Sequence, residues 1–243
     1  MGWTDISLDP NSEEALSHRY GQLVAAHRCP VRDRAEHLRA LAKGRRVLDI
    51  GVADHGTKSV QARGWLHREI ASAASYSLGV DVIADAVETI RGAGYNVECR
   101  DITRDPPAER FEIAILGEII EHLGNPAEML ESVRSLLLPG GLAVLTIPNP
   151  YEIGRVIHAL RGRSRDNVDH VTAWTPSGVV ELAERTGFRL EAWCGVKRSR
   201  RSSSGLVRLN RTLKEVLAAS VLSPESACET LIFHLACEPK SRV

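Results

Sequence analysis

Gly117-Glu118-Ile119-Ile120-Glu121-His122-Leu123 places two carboxylates and an imidazole at positions i, i+3 and i+4. On a helix those positions cover about 100° of arc, so Glu118, Glu121 and His122 are expected to face one way. Ile119 and Ile120 are then expected to turn toward the core. Two carboxylates with an imidazole suit a hard or borderline divalent ion such as Mg²⁺, Mn²⁺ or Fe²⁺, rather than a thiolate zinc site. Neighbouring carboxylates also repel unless a cation or a proton lies between them. A second run, Asp166-Asn167-Val168-Asp169-His170-Val171-Thr172-Ala173-Trp174-Thr175, adds a further Asp-His pair. It follows the fifth predicted strand, and a loop there can fold back over the first cluster. Three readings are open. One is a metal site. A second has no metal, with His170 or His122 taking a hydroxyl proton and Asp169 orienting the ring. The third is packing alone.

These side chains must be carried to one place by a frame. Val47 to Ile50 reads as a strand buried on both faces, running into a tight turn with glycines at 51 and 56. Gly51 lets backbone approach a ligand where a Cβ would obstruct it. Lys58 to Ala74 reads as a helix with Trp65, Leu66 and Ile70 at core spacing. Tyr76 to Asp81 is a second strand ending in an acid, and Asp81 is suited to accept from both ribose hydroxyls of a nucleoside. Val82 to Ala93 is helical, Tyr95 to Cys99 a third strand, and Asp101-Ile102 can hold and cover a purine. Phe111 to Gly117 is the fourth strand, with Glu118 directly at its end. A helix from Asn125, a strand from Leu142 to Ile147, helices over 151–165 and 176–186, and strands over 188–196 and 229–237 complete the series. Alternating strands and helices predict an α/β, Rossmann-like parallel sheet with helices on both faces, and ligands beyond the strands' carboxyl ends.

Residues 1–43 read as a helical lid or outer layer, broken near Cys29-Pro30, ahead of a main domain over 44–243. Residues 197–228 read as an insertion before the last strand. Within it, the basic, serine-rich 197–204 is expected to be mobile, and 207–221 is an amphipathic helix that can cover the sheet, meet a membrane or meet a second subunit, so a homodimer is allowed. The arginines of 155–165 and 197–211 can bind an anionic acceptor or form a solvated face. The chain has 243 residues and no formal net charge, so charge gives no sign of a nucleic-acid partner. No run approaches the ~18 apolar residues of a membrane span. The first residues have neither a basic nor an apolar leader segment, and five cysteines form no CxxC, so reduced thiols and a cytoplasmic setting are expected.

With these motifs in place, the chain resembles the class I S-adenosylmethionine-dependent methyltransferases over roughly residues 44–196. Val47-Leu48-Asp49-Ile50-Gly51 is similar to the first motif, Asp81 to the ribose acid, Asp101-Ile102 to the adenine contact, and Leu138-Pro139-Gly140-Gly141 to the post-motif. The resemblance implies a seven-stranded, mostly parallel sheet. It also implies a cofactor site formed by Asp49, Gly51, Ala53, Gly56, Asp81, Asp101, Ile102, Gly117 and Glu118. The first motif departs from DxGxGxG, because Ala53 and His55 stand where the second and third glycines are usual.

The ExxEH run followed by the Asp169-His170 segment resembles metal-dependent 2′-O-methyltransferases of small-RNA 3′ ends. That likeness implies Mg²⁺ or Mn²⁺ on Glu118, Glu121, His122 and His170. Ubiquinone-pathway catechol O-methyltransferases show a similar ExxEH. Both groups act on a vicinal diol, where an ion can bind both oxygens and acidify one. The wider pattern, with Thr146-Ile147-Pro148-Asn149-Pro150, most resembles bacterial methyltransferases of polysaccharide and glycan biosynthesis. The resulting expectation is metal-assisted O-methylation of a sugar, glycan or glycosylated metabolite. RNA 3′-end methylation and a non-catalytic cofactor-binding protein are the alternatives.

Overall fold

The computed structural model describes residues 2–54, 59–61, 64–163, 167–197 and 222–238. Seven strands form one sheet: β1 (Arg46–Ile50), β2 (Tyr76–Asp81), β3 (Val97–Cys99), β4 (Phe111–Gly117), β5 (Leu137–Pro148), β6 (Phe188–Val196) and β7 (Thr230–Cys237). The order is β3-β2-β1-β4-β5-β7-β6. All pairings are parallel except those of β7, which runs antiparallel to both β5 and β6. Strand order reverses between β1 and β4, so their carboxyl ends open a crevice where an α/β sheet binds its ligands.

Both sheet faces are buried, which explains the near-continuous apolar strands. Strand alternation sends Val47, Ile113, Ile115, Val144 and Ile232 to one face, where Leu38 and Ala42 of α2 (Arg34–Ala42) and Ile70 of α3 (Leu66–Ala73) meet them. Leu48, Ile50, Ala114, Leu116 and Phe233 fill the other face. There they meet α5 (Pro126–Leu136), through Met129, Leu130 and Val133, and α7 (Pro176–Arg185), through Val179, Val180 and Ala183. By the same alternation Asp49 shares the α3 side with Val47. That residue is only 4% exposed. A small cluster of Val52, Trp65, Val87, Ile90 and Val97 seats α4 (Ala84–Gly92) near the β3 end.

The N-terminal segment does more than cap one side. Its first helix, α1 (Glu13–Ala26), lies on the α7 face, whereas α2 lies on the α3 face. Between them the chain passes around the β6 edge, forming bridges His27 to Trp193 and Val31 to Val196. Backbone bonds Arg28 N to Trp193 O and Val31 N to Gly195 O, both 2.9 Å, satisfy an edge that would otherwise be a template for another strand.

Several boundaries differ from the sequence expectation. The long helix predicted over 58–74 is a short 3-10 turn, Ser59–Gln61, and α3 from Leu66. The fifth strand starts at Leu137 rather than Leu142, since the Pro-Gly-Gly segment stays in the sheet with a register shift opposite Phe111/Ile113. Among the described residues, the stretch predicted helical over 151–165 forms only α6 (Ile153–Leu160). The amphipathic helix expected over 207–221, and all but the ends of the 197–228 insertion, lie outside the described residues. Among the described residues no helix is long and apolar enough to cross a membrane.

Candidate active site

The carboxyl ends of β1, β2 and β4 border a continuous cleft of about 1590 Å³. Asp49, Gly51, Asp81, Asp101 and Ile102 line one end; Glu118, His122, Asp169 and His170 line the other. That volume exceeds an ordinary small-ligand pocket, and two molecules lying end to end would fit it.

At the first end, Asp81 projects from the end of β2. Its two oxygens accept from Ala53 N at 2.8 Å and Ile83 N at 3.0 Å. Each carboxylate oxygen has a further lone pair, so capacity remains for two ribose hydroxyls. The amide at the position where a second glycine was expected is thus tied to Asp81. Asp101 is held by the hydroxyl of Thr103 at 2.7 Å and its amide at 3.0 Å, which keep its carboxyl below the usual carboxylate range. Ile102 is buried beside it and supplies an apolar wall. Asp49 does not present a carboxylate to the cleft alone: Oδ2 lies 2.8 Å from His67 Nδ1. Gly51 has φ +81°, and a Cβ there would sit 2.1 Å from Ile119 Cδ1. The space spared by this glycine is occupied by an isoleucine side chain, not left for a ligand as expected. A Cβ on Gly117 would lie 3.4 Å from Leu66 Cδ2, and Gly56 lies outside the described residues.

At the second end, the helix expected to align Glu118, Glu121 and His122 does not form. Glu118 has φ +57°, a left-handed conformation that interrupts any helix, and only Ile120–His122 makes a 3-10 turn. The two glutamates therefore part. Glu118 Oε1 lies 3.2 Å from Arg34 Nη1 at the start of α2 and accepts from Thr230 Oγ1 at 3.2 Å. Arg34 also donates to Thr146 Oγ1 at 3.4 Å. Glu121 turns inward instead, with 1% exposure, and neither carboxylate oxygen has a hydrogen-bond partner among the described residues. Burial pushes its carboxyl up to about 8; the negative charges of Glu118 and Asp169 push the same way, against Arg34 and its own backbone. Ile120 is buried, but Ile119 lines the cleft, contrary to the expectation of a core-facing pair.

The 167–175 segment does fold back. Val171 N donates to Glu121 O at 2.9 Å, and Trp174 Nε1 donates to Ile120 O at 3.3 Å. This brings His170 edge-on to His122, ring centroids 4.7 Å apart. Ligand atoms of Glu121, His122 and His170 lie within 4.8 Å of one another. A small cavity of about 20 Å³ touches Glu121 and His170, room for one water-sized particle. Asp169 Oδ2 lies 3.2 Å from His122 Nδ1, so the acid orients His122. Arg34 and Thr230 are cleft-lining partners of Glu118 that spacing did not reveal. They come from segments far from the ExxEH run, and nothing in their own neighbourhoods marks them.

A family model described as "Methyltransferase domain" matches residues 24–192. The chain is 29% identical over 154 residues to a ubiquinone biosynthesis O-methyltransferase of Roseobacter denitrificans, covering 58% of this chain and 54% of that one. The chain thus spans about half the length of that relative. A protein of the same name from Coxiella burnetii is 26% identical over 176 residues, covering 66% of this chain and 70% of that one. Among solved structures, an S-adenosylmethionine-dependent methyltransferase from Archaeoglobus fulgidus superimposes with TM-score 0.55. It covers 84% of this chain and 94% of the other at 19% identity, a likeness of fold.

Proposed function

The chain belongs to the methyltransferase-domain family, and from that premise we propose an O-methyltransferase with a cation site on Glu121, His122 and His170, acting on a hydroxyl of a sugar or glycan. S-adenosylmethionine, when bound, supplies an electrophilic methyl group on a sulfonium. In this reading Asp81 would accept from its ribose, Ile102 would cover its purine, and the backbone after β1 would face its methionine part. Glu118 is held by Arg34 and Thr230 at the boundary between the two ends of the cleft, which fits a wall residue better than the ligand role expected of it.

The observation that carries the metal reading is Glu121. A buried carboxyl with two unpartnered oxygens is costly, and two imidazoles converge on it. The oxygen and nitrogen donors fit Mg²⁺ or Mn²⁺. A bound cation would engage neighbouring acceptor oxygens and lower the pKa of one. The relatives' name, O-methyltransferase, supports oxygen as the accepting atom. The polar groups of Arg155, Asn167, Asp169 and Glu229 at this end support a polyhydroxyl acceptor.

Mn²⁺ binding, followed by its paramagnetic signal with adenosylhomocysteine present, tests the reading. Stoichiometric binding by the native chain, weakened by roughly tenfold or more in His170→Ala, is the expected result. No binding by either protein would defeat the metal reading. It would favour a metal-free site in which His122, oriented by Asp169 at 3.2 Å, takes the hydroxyl proton.

A further inference from the structure

The turn that leaves β1 is gripped from both ends by the start of a single helix. Asp49, the last but one residue of β1, is too deeply buried to keep a charge without a partner. Its Oδ2 lies 2.8 Å from His67 Nδ1. An N–H on Nδ1 can donate to that oxygen. Three residues further on, the carbonyl of Val52 accepts from Trp65 Nε1 at 2.8 Å. Trp65 is the N-cap of α3 and His67 its second residue. Between the two bonds lie Ile50 and Gly51, whose backbone borders the cleft.

Packing alone does not explain His67. It is 1% exposed, and its Nε2 has no partner among the described residues. An apolar side chain there would avoid that penalty, yet the fold makes room for the ring: at Gly79 a Cβ would lie 2.8 Å from His67 Cε1. Trp65 and His67 also touch as rings, with centroids 5.3 Å apart, so each limits the other's movement. The sequence departure at this turn gives the pair a purpose. Ala53 and His55 stand where the related pattern has glycines, so the loop lacks their backbone freedom to settle around a ligand.

We propose that Trp65 and His67 are positioning residues for the cofactor, clamping Asp49 and Val52 so that the turn holds the shape its ligand-facing backbone requires. This rests on the reading of the cleft's first end as the S-adenosylmethionine site. The clamp acts through the turn; neither side chain is assigned a role in the chemistry.

Calorimetric binding of adenosylhomocysteine by the full chain tests it, with His67→Leu, His67→Asn and Trp65→Phe as variants. Asparagine can donate where Nδ1–H does; leucine cannot. His67→Leu and Trp65→Phe are expected to bind roughly tenfold or more weakly, with His67→Asn restored to within about threefold of the native chain. Should His67→Leu fail to fold, the other two variants decide. Native affinity in Trp65→Phe, or an equal loss in His67→Asn and His67→Leu, overturns the clamp. A native chain that binds no adenosylhomocysteine overturns the cofactor reading itself, and the clamp with it.

Discussion

Glu118 and Glu121 are three residues apart in sequence, yet they do different things because one backbone angle separates them. A left-handed φ at a glutamate costs on the order of 1 kcal/mol or more. Here Arg34 and Thr230 hold it in place. The outcome is one paired carboxylate on the cleft wall and one buried carboxyl, its pKa raised by burial, facing two imidazoles. Gly51 shows the same dependence on a neighbour. With φ +81° and Ile119 Cδ1 2.1 Å from where a Cβ would be, Gly51→Ala combines backbone strain with a clash. A loss of about 2–4 kcal/mol in urea unfolding is expected. Adding Ile119→Ala should return only the steric part, and full recovery would mean the backbone carries no strain.

At the scale of elements, α2 joins the cleft to the far side of the sheet. Its N-cap, Asp33, accepts from Ala35 N and Glu36 N, and the next residue, Arg34, reaches Glu118. One turn on, His37 Nε2 lies 3.0 Å from His234 Nε2 of β7. Burial, and then the neighbouring His37, lower the His234 pKa to about 4; burial lowers that of His37. The unfolded chain takes up these protons near the ordinary histidine value, before the folded chain does. The stability this pair preserves is therefore complete above pH ~6.5 and is lost as pH falls toward 4. For His234 the loss is on the order of 3 kcal/mol. Denaturant unfolding at several pH values should show it, and His234→Phe should flatten that dependence. An unchanged slope in the variant would place the acid sensitivity elsewhere.

Across the whole molecule, equal numbers of basic and acidic residues leave no net field to draw in a polyanion. A chain contacting several RNA phosphates would lose roughly 10³–10⁵ in affinity between 50 and 200 mM salt. Short RNA is expected to bind without such a slope, and a steep one would turn the acceptor assignment toward RNA ends. The order of strands, the acids at the ends of β1 and β2 and the return of the Asp169-His170 loop were legible in the chain itself. Short apolar runs and punctuation by Gly and Pro are local signals, and β2, β4 and β6 begin and end where those signals place them. The acceptor-side arrangement was not legible. Helical spacing put Glu118 with Glu121 and His122, but the direction of Glu118 depends on Arg34, Thr146 and Thr230, brought from α2, β5 and β7 by the sheet. Asp49 likewise reads as a motif acid, and only packing of α3 on its side of β1 supplies His67. Sequence by itself determined the strands and the sheet end at which their loops meet. Tertiary structure decided where each charge finds its partner, because burial cost and pairing depend on residues that are close only after folding.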